Sequence, residues 1–184
     1  MRLPLVGVLL LSSSVMAAAA MLPCEPCVIF GAGPPELRLI VAKLAAREGH
    51  DVSIFAGDEK VAARWRGLMY GQTKASAAAA TERVRIAVTG DELAETLTAA
   101  RALVLTCEEA PLPEGACQTL LENAPALERI VLVSKMGVTR AKPPGPFGIG
   151  GEDAALLVNE RAIRDQLASR GIGPPSIIRG EECS

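Results

Sequence analysis

The stretch that decides the fold is Val28-Ile-Phe-Gly-Ala-Gly-Pro-Pro-Glu-Leu-Arg-Leu39. It begins with a short apolar run, continues into a glycine turn and ends in a segment with helical periodicity. A strand, a glycine turn and a helix in this order are typical of the place where a dinucleotide cofactor docks. Two prolines, Pro34 and Pro35, lie in the turn and remove backbone N–H groups that would donate to phosphate. The question is whether such a turn still holds a pyrophosphate.

Beyond this stretch, short apolar runs alternate with helical patterns along the chain. Their almost unbroken hydrophobicity is typical of strands in a parallel sheet that is covered on both faces. The alternation predicts an α/β fold, a doubly wound parallel sheet of the Rossmann type with about six strands in a single domain. The predicted strands are Val28–Phe30, Val52–Phe55, Val84–Val88, Ala102–Thr106, Ile130–Ser134 and Ser176–Ile178.

Helices are predicted between these strands. In residues 37–44 apolar side chains recur at i, i+3, i+4 and i+7, so this face packs against the sheet and Arg38 is turned away from it. Gly49 is placed to end this helix, and Asp91 to cap the start of a later one. The last helix is expected from about Gly151 to Arg170.

The composition fits one globular domain. The chain has 184 residues and a net charge of −2, and its 19 basic residues are spread along the sequence. Nucleic-acid backbones are bound by clustered basic residues, so no nucleic-acid partner is predicted. Aromatic residues make up only 3% of the chain, which also argues against a platform on which single-stranded bases stack.

The first twenty residues differ from the rest of the chain. Arg2 is followed by an uncharged segment, residues 3–20, that ends in Ala18, Ala19 and Ala20. A basic start, an apolar centre and small residues at the end are typical of a secretory signal peptide, which leaves residues 21–184 as the domain. The segment also reaches the lower length limit of a membrane-spanning helix, so an uncleaved anchor is the alternative. Contact with a membrane is expected only if this leader is retained.

The five cysteines, an odd number, predict no complete disulfide framework. Cys24 and Cys27 have CxxC spacing, but a tetrahedral zinc site needs two more ligands and His50 is the single histidine, so no metal site is predicted. Redox-active pairs with this spacing lie at helix N-termini, where the thiol pKa is lowered, whereas this pair precedes a strand. Structural cysteines are therefore the simplest interpretation, with a local or regulatory disulfide as the alternative.

Gly31 and Gly33 match the first two glycines of the dinucleotide fingerprint, which allow the tight turn and the close approach of the pyrophosphate. Glu36 stands where the third glycine is expected, and its carboxylate competes with a bound anion for the positive end of the helix dipole. The alternative is that the two glycines only form a tight turn between strand and helix.

The second strand does not decide between NAD and NADP. An acidic residue about 20 positions after the glycines binds the ribose hydroxyls of NAD, and a basic residue there accepts the 2′-phosphate of NADP. Ala56 stands at this point, and Asp58, Lys60 and Arg64 follow slightly downstream. Both cofactors stay open.

Downstream segments, taken in order, carry a more specific resemblance. They are Val88-Thr-Gly-Asp91, Ile130-Val-Leu-Val-Ser-Lys-Met-Gly-Val138, and Glu160-Arg-Ala-Ile-Arg-Asp-Gln-Leu-Ala-Ser-Arg-Gly-Ile172 leading to Ser176-Ile-Ile-Arg179. Over roughly residues 28–180 the chain resembles the NmrA-like group of atypical short-chain dehydrogenase/reductases, which have an NAD(P)-binding domain. The resemblance implies that Gly31, Ala32 and Gly33 contact the pyrophosphate. It also implies that Asp91 lies by the adenine and that Thr106 and Ser134 line the cofactor groove.

Catalysis in the wider family uses a tyrosine as general acid, with a lysine four residues later that lowers its pKa and holds the ribose. Where the resemblance places this pair, after the fifth strand, the chain has Leu156 and Glu160. Tyr70 and Lys74 have the same spacing, but they follow the second strand. The resemblance therefore predicts an NAD(P)-binding protein with weak or no reductase activity. The alternative is a non-catalytic, redox-sensing interaction or scaffold protein of the same fold, which would act on a protein partner.

Members of this group usually continue beyond the strand that matches Ser176–Arg179 into segments that build a substrate pocket. Because the sequence ends at Ser184, we expect either a truncated C-terminus or a cofactor-sized module. The leader predicts entry into the secretory route. The resemblance leaves a plastid location as the alternative, since similar proteins of algae and plants often work there.

Overall fold

The structure of this protein is a computed structural model, and it describes residues 25–32, 34–70, 82–135, 138 and 151–180. Sequence predictions about the leader at 1–20, Cys24, Gly33, Lys74 and residues 181–184 lie outside the described residues. All structural statements that follow concern the described part of the chain.

Strands and helices lie where the hydrophobic patterns predicted them, and each strand end is within two residues of its predicted position. The strands are β1 (Cys27–Gly31), β2 (Val52–Phe55), β3 (Val84–Ala87), β4 (Ala102–Cys107), β5 (Arg129–Lys135) and β6 (Ser176–Gly180). The helices between them are α1 (Pro35–Arg47), α2 (Glu59–Tyr70), α3 (Gly90–Ala99), α4 (Ala116–Asn123) and α5 (Gly151–Ser169).

The strands form one sheet in the order β3-β2-β1-β4-β5-β6, and every neighbouring pair is parallel. β1 pairs with β2 on one side and with β4 on the other, so the direction of winding reverses between β1 and β4. This order is that of the doubly wound Rossmann fold. The predicted fold class is therefore confirmed.

Alternate residues of each strand face two separate hydrophobic layers, as the period of two in a β-strand requires. Ile29, Ile54 and Val104 pack with α1 and α2 on one face of the sheet. Val28 and Leu103 pack with α3, α4 and α5 on the other. All six residues of β4 are buried, which explains why the sequence of this strand is almost entirely apolar.

The ends of the helices follow local chemistry. Pro35 is the first residue of α1, where a proline costs nothing because its missing N–H has no helical partner. Gly49 follows the end of α1 with a φ of +96°, and its N–H donates to the Ala46 carbonyl at 3.1 Å, so its predicted role is confirmed. Among the described residues, no helix has both the length and the apolar character needed to cross a bilayer.

The start of α3 corrects one prediction. Thr89 is the N-cap, because its hydroxyl accepts the Glu92 N–H at 3.2 Å and the Glu92 carboxylate accepts the Thr89 N–H at 3.2 Å. This reciprocal arrangement is a capping box. The prediction that Asp91 caps the helix is wrong, since Asp91 is the second helical residue and is exposed.

Candidate functional site

The carboxyl ends of β1 and β4 meet at the point where the winding of the sheet reverses. Gly31 pairs with Thr106, and on the next strand pair Cys107 is opposite Ser134. The structure therefore brings Gly31, Ala32 and Thr106 together and puts Ser134 one strand away. Asp91 is exposed at the start of the helix after β3, and its contact with the adenine stays a prediction. In sheets of this type, ligands bind at this edge.

Gly31 is a glycine because β4 leaves no room for a side chain. A Cβ atom on residue 31 would lie 1.9 Å from the Thr106 hydroxyl oxygen and 2.3 Å from the Thr106 carbonyl oxygen. These distances are far inside van der Waals contact. The first glycine of the turn is therefore required by strand packing, whether or not a cofactor binds.

The donors of the turn are fewer than the sequence alone indicates. The Ala32 N–H donates to the Thr106 carbonyl at 3.0 Å, so this amide is already bonded within the protein. Pro34 and Pro35 have no N–H, and Gly33 lies outside the described residues. A bound pyrophosphate would therefore depend on donors other than the Ala32 amide.

Glu36 does not stand free at the start of α1. Its carboxylate lies 2.9 Å from the guanidinium of Arg64 on α2, and both side chains are exposed. Exposed ion pairs contribute little to stability, but this pair offsets the negative charge beside the turn. The competition between Glu36 and a bound anion is correspondingly weaker than expected from the sequence.

Two of the three residues that the sequence offered for contact with the cofactor ribose have structural partners. Asp58 Oδ1 accepts the Lys60 N–H at 2.6 Å, and the Asp58 carbonyl accepts the Ala62 N–H at 3.0 Å, so Asp58 caps α2. Arg64 is paired with Glu36. The side chains of Asp58 and Arg64 are therefore both engaged within the protein and are not free to bind the ribose.

Arg38 occupies this region instead, and the prediction that it turns away from the sheet is wrong. It is 9% exposed, and its Nη1 donates to the Phe55 carbonyl at the end of β2, at 2.8 Å. Its guanidinium carbon lies 5.4 Å from the centre of the Trp65 ring. Burial lowers the pKa of Arg38, and the Glu36 charge partly opposes this effect.

A pair of aromatic rings lies at the same edge. Phe30 of β1 and Phe55 of β2 are stacked, with ring centroids 5.4 Å apart and planes 16° from parallel. Both residues are partly exposed. Stacked rings at a ligand-binding edge offer an apolar surface to a planar base. The sequence signal is an aromatic residue near the end of two adjacent parallel strands.

Ser134 belongs to a buried polar cluster that we call the Glu160 cluster, formed by Ser134, Glu160 and Arg179. The Ser134 hydroxyl donates to Glu160 Oε1 at 2.5 Å. Arg179 donates to both carboxylate oxygens, at 2.7 and 3.0 Å. Ser134 is 0% exposed and Glu160 is 2% exposed, so both side chains are buried. The position that the resemblance gives to the catalytic lysine is therefore filled by a paired carboxylate.

The charge state of Glu160 follows from these contacts. Burial raises the pKa of the carboxyl group, but the hydrogen bonds from Arg179 and Ser134, together with the Arg179 charge, outweigh it. The net effect is a pKa below the usual range, so Glu160 is ionised at neutral pH. An ionised glutamate accepts protons and cannot act as the general acid that ketone reduction needs.

The described cysteines are poor candidates for redox chemistry. Burial raises the pKa of the Cys27 thiol to about 12 and that of Cys117 to about 11. It also raises the pKa of Cys107 to about 12, although the Asn159 side chain opposes this shift. Thiolates are the reactive form, so these thiols are inert at neutral pH. The other half of the CxxC pair, Cys24, lies outside the described residues.

Elsewhere in the described residues, no three His, Cys, Asp or Glu side chains converge on a common point where a metal would bind. A cleft of about 430 Å³ opens at the amino ends of β1, β2 and β3, beside α3. Its charged side chains are paired with one another, Arg83 with Asp51 at 3.2 Å and Arg85 with Glu95 at 3.0 Å. This cleft is at the opposite edge of the sheet from the glycine turn.

The strand order and the glycine turn define the class of this protein as a Rossmann-type α/β domain. No protein-family model matches the sequence, and no curated protein is significantly similar to it. One similar solved structure is of a diketoreductase described by its substrate-directed dual catalysis of dicarbonyl compounds. The two chains are 14% identical with a TM-score of 0.45, over 88% of this chain and 66% of the diketoreductase chain. This chain thus spans just under two thirds of the length of that reductase.

Proposed function

We propose that this protein binds a dinucleotide, NAD(P), at the carboxyl edge of its sheet. The observation that carries the proposal is the coincidence of the glycine turn with the reversal of winding between β1 and β4. The ion pair between Glu36 and Arg64 and the stacked rings of Phe30 and Phe55 support it. The residues that we expect to line this site remain Gly31, Ala32, Gly33, Asp91, Thr106 and Ser134.

The proposal includes the resemblance to NmrA-like atypical short-chain dehydrogenase/reductases, with binding favoured over turnover. A bound nicotinamide supplies or accepts a hydride. The protein must supply the proton, and Leu156 and Glu160 stand where the tyrosine and lysine are expected. Leu156 has no proton to give and Glu160 is ionised and held by Ser134 and Arg179. Weak or absent reductase activity follows.

Titration of the purified protein with NADH and NADPH, followed by nucleotide fluorescence, tests the proposal. We expect a saturable change that is lost in Ala32→Asp, because a carboxylate in the turn repels the pyrophosphate. Ala162→Asp, which places the same charge on the exposed face of α5, is the matched control and should bind like the wild type. A flat titration of the wild type up to millimolar nucleotide would rule the proposal out.

A second candidate is a non-catalytic interaction protein that keeps the Rossmann-type sheet without a cofactor. The observation in its favour is the Ala32 N–H, which is bonded to Thr106 and not available to a phosphate. It predicts that a partner is captured equally well with and without nucleotide. In its redox-sensing form, capture is lost in the double variant Cys24→Ser/Cys27→Ser, although the buried Cys27 thiol argues against that form.

A further inference from the structure

Arg38 is a buried arginine that has no acidic partner among the described residues. No carboxylate of the described part lies within ion-pair distance of it, and its Nε is buried without a hydrogen-bond partner. Glu36 is the acid that acts on it electrostatically, but that carboxylate is bound to Arg64. A buried charge without a counter-charge is costly unless something else supplies the compensation.

A second arginine of the same molecule, Arg179, does have an acidic partner. Arg179 is more exposed than Arg38, yet it has a bidentate carboxylate partner in Glu160. Arg38 is more deeply buried and has only the Phe55 carbonyl and the face of Trp65. These two contacts fix the plane of the guanidinium without neutralising its charge. An anion is the missing partner.

The position of Arg38 indicates which anion. Its Nη1 reaches the carbonyl of the last residue of β2, which is where the adenosine ribose lies when a dinucleotide is bound to this fold. The acid that would hold the ribose hydroxyls of NAD is missing there, because Ala56 follows the strand and Asp58 caps α2. A guanidinium without an acid at this point suits a phosphate monoester.

We infer that Arg38 makes this a site for a dinucleotide with a 2′-phosphate, NADP(H), in preference to NAD(H). The inference rests on the proposed function, since it names the cofactor of that site. Arg38 keeps 9% exposure, and its Nη2 donates to no acceptor of the described residues, so an edge of the guanidinium remains for a ligand oxygen. Trp65 and Phe55 hold that edge in place before the ligand arrives, which reduces the entropy lost on binding.

The test compares NADPH and NADH titrations of the wild type, Arg38→Gln and Arg38→Lys by nucleotide fluorescence. In the wild type we expect NADPH to bind at least about tenfold more tightly, the order expected for hydrogen bonds between charged groups. In Arg38→Gln the two affinities should converge through loss of NADPH binding alone. Arg38→Lys should keep part of the preference. Arg47→Gln, which removes an exposed arginine in the last turn of α1, should keep all of it.

The outcomes separate the two proposals. If neither nucleotide binds the wild type, the proposed function fails. If both bind equally, or if Arg38→Gln keeps the wild-type preference, the role of Arg38 fails and the proposed function stands. Competition of bound NADPH by 2′-AMP and by 5′-AMP uses the wild type alone, so it decides even if Arg38→Gln does not fold. Stronger competition by 2′-AMP supports the inference, and equal competition overturns it.

Discussion

Arg38 and Glu160 are both buried charged residues, but among the described residues only Glu160 has an oppositely charged partner. Glu160 is held by two partners from neighbouring strands, Ser134 and Arg179. Arg38 has a carbonyl and an aromatic ring but no acid. A saturated ion pair holds elements together, whereas an unsatisfied charge indicates a ligand. We therefore distinguish a structural part of the carboxyl edge, around Glu160, from the part around Arg38 where we propose that the ligand binds.

At the residue scale, Gly31→Ala is expected to destabilise the protein. The new methyl group would overlap Thr106, so β1 and β4 must separate locally, at a cost of about 1–3 kcal/mol or more. Urea unfolding measures the loss. Gly67→Ala is the control, because this helical glycine has nothing within 4 Å of an added Cβ and alanine should stabilise α2 by up to about 1 kcal/mol. Equal effects of the two changes would contradict the argument.

The Glu160 cluster predicts a pH dependence of stability. The pKa of Glu160 is lower in the folded protein than its ordinary value of 4.5, so the unfolded chain takes up the proton first. Its contribution to stability is therefore complete above about pH 4.5 and is lost as the pH falls through the folded-state pKa. We expect Glu160→Gln to cost about 2–3 kcal/mol at pH 7, since it leaves the partly exposed Arg179 without its partner.

Urea unfolding at several pH values checks this prediction. The difference between the wild type and Glu160→Gln should shrink as the pH is lowered below about 4.5. Glu122→Gln changes an exposed glutamate on α4 and should give a small difference at every pH. A wild-type advantage over Glu160→Gln that stays constant down to acid pH would show that the cluster does not titrate in this way.

At the element scale, the capping box of α3 predicts unequal effects of two neighbouring substitutions. Thr89→Ala removes the N-cap hydroxyl and should cost about 1 kcal/mol. Asp91→Ala removes only a charge in the first turn and should cost less than about 0.5 kcal/mol. Chemical denaturation of both variants measures this. A larger loss for Asp91→Ala would restore Asp91 as the residue that caps the helix.

The elements were predictable from the sequence because their signals are local. The continuous apolar run of β4 and the glycine after α1 needed no knowledge of distant residues. The Thr89 and Glu92 capping box was also local, and it was missed because Asp91 has the composition of a cap without its spacing. Arg38 could not be placed, since its burial depends on Phe55 and Trp65, which lie far along the chain. The Glu160 cluster joins three elements in the same way.

At the scale of the whole molecule, amide hydrogen exchange should be slowest in β4 and faster in the edge strand β3. β4 is paired on both sides and buried throughout, while β3 pairs only with β2 among the described strands and has an exposed residue, Arg85. Amides in the centre of a sheet exchange only when most of the structure opens. Mass spectrometry of exchanged peptides measures this order, and faster exchange in β4 than in β3 would contradict the topology.

The pairing of β1 with β4 has a consequence for folding while the chain is being synthesised. Cys27 pairs with Ala102 on β4, so the hydrogen bonds on one side of β1 cannot form until residue 102 has been synthesised. Until that much of the chain has left the ribosome, the nascent protein exposes an unpaired apolar strand edge that can pair with another chain. A fragment ending before residue 100 should therefore aggregate unless a chaperone binds it. Four strands must be synthesised before β1 is paired on both sides.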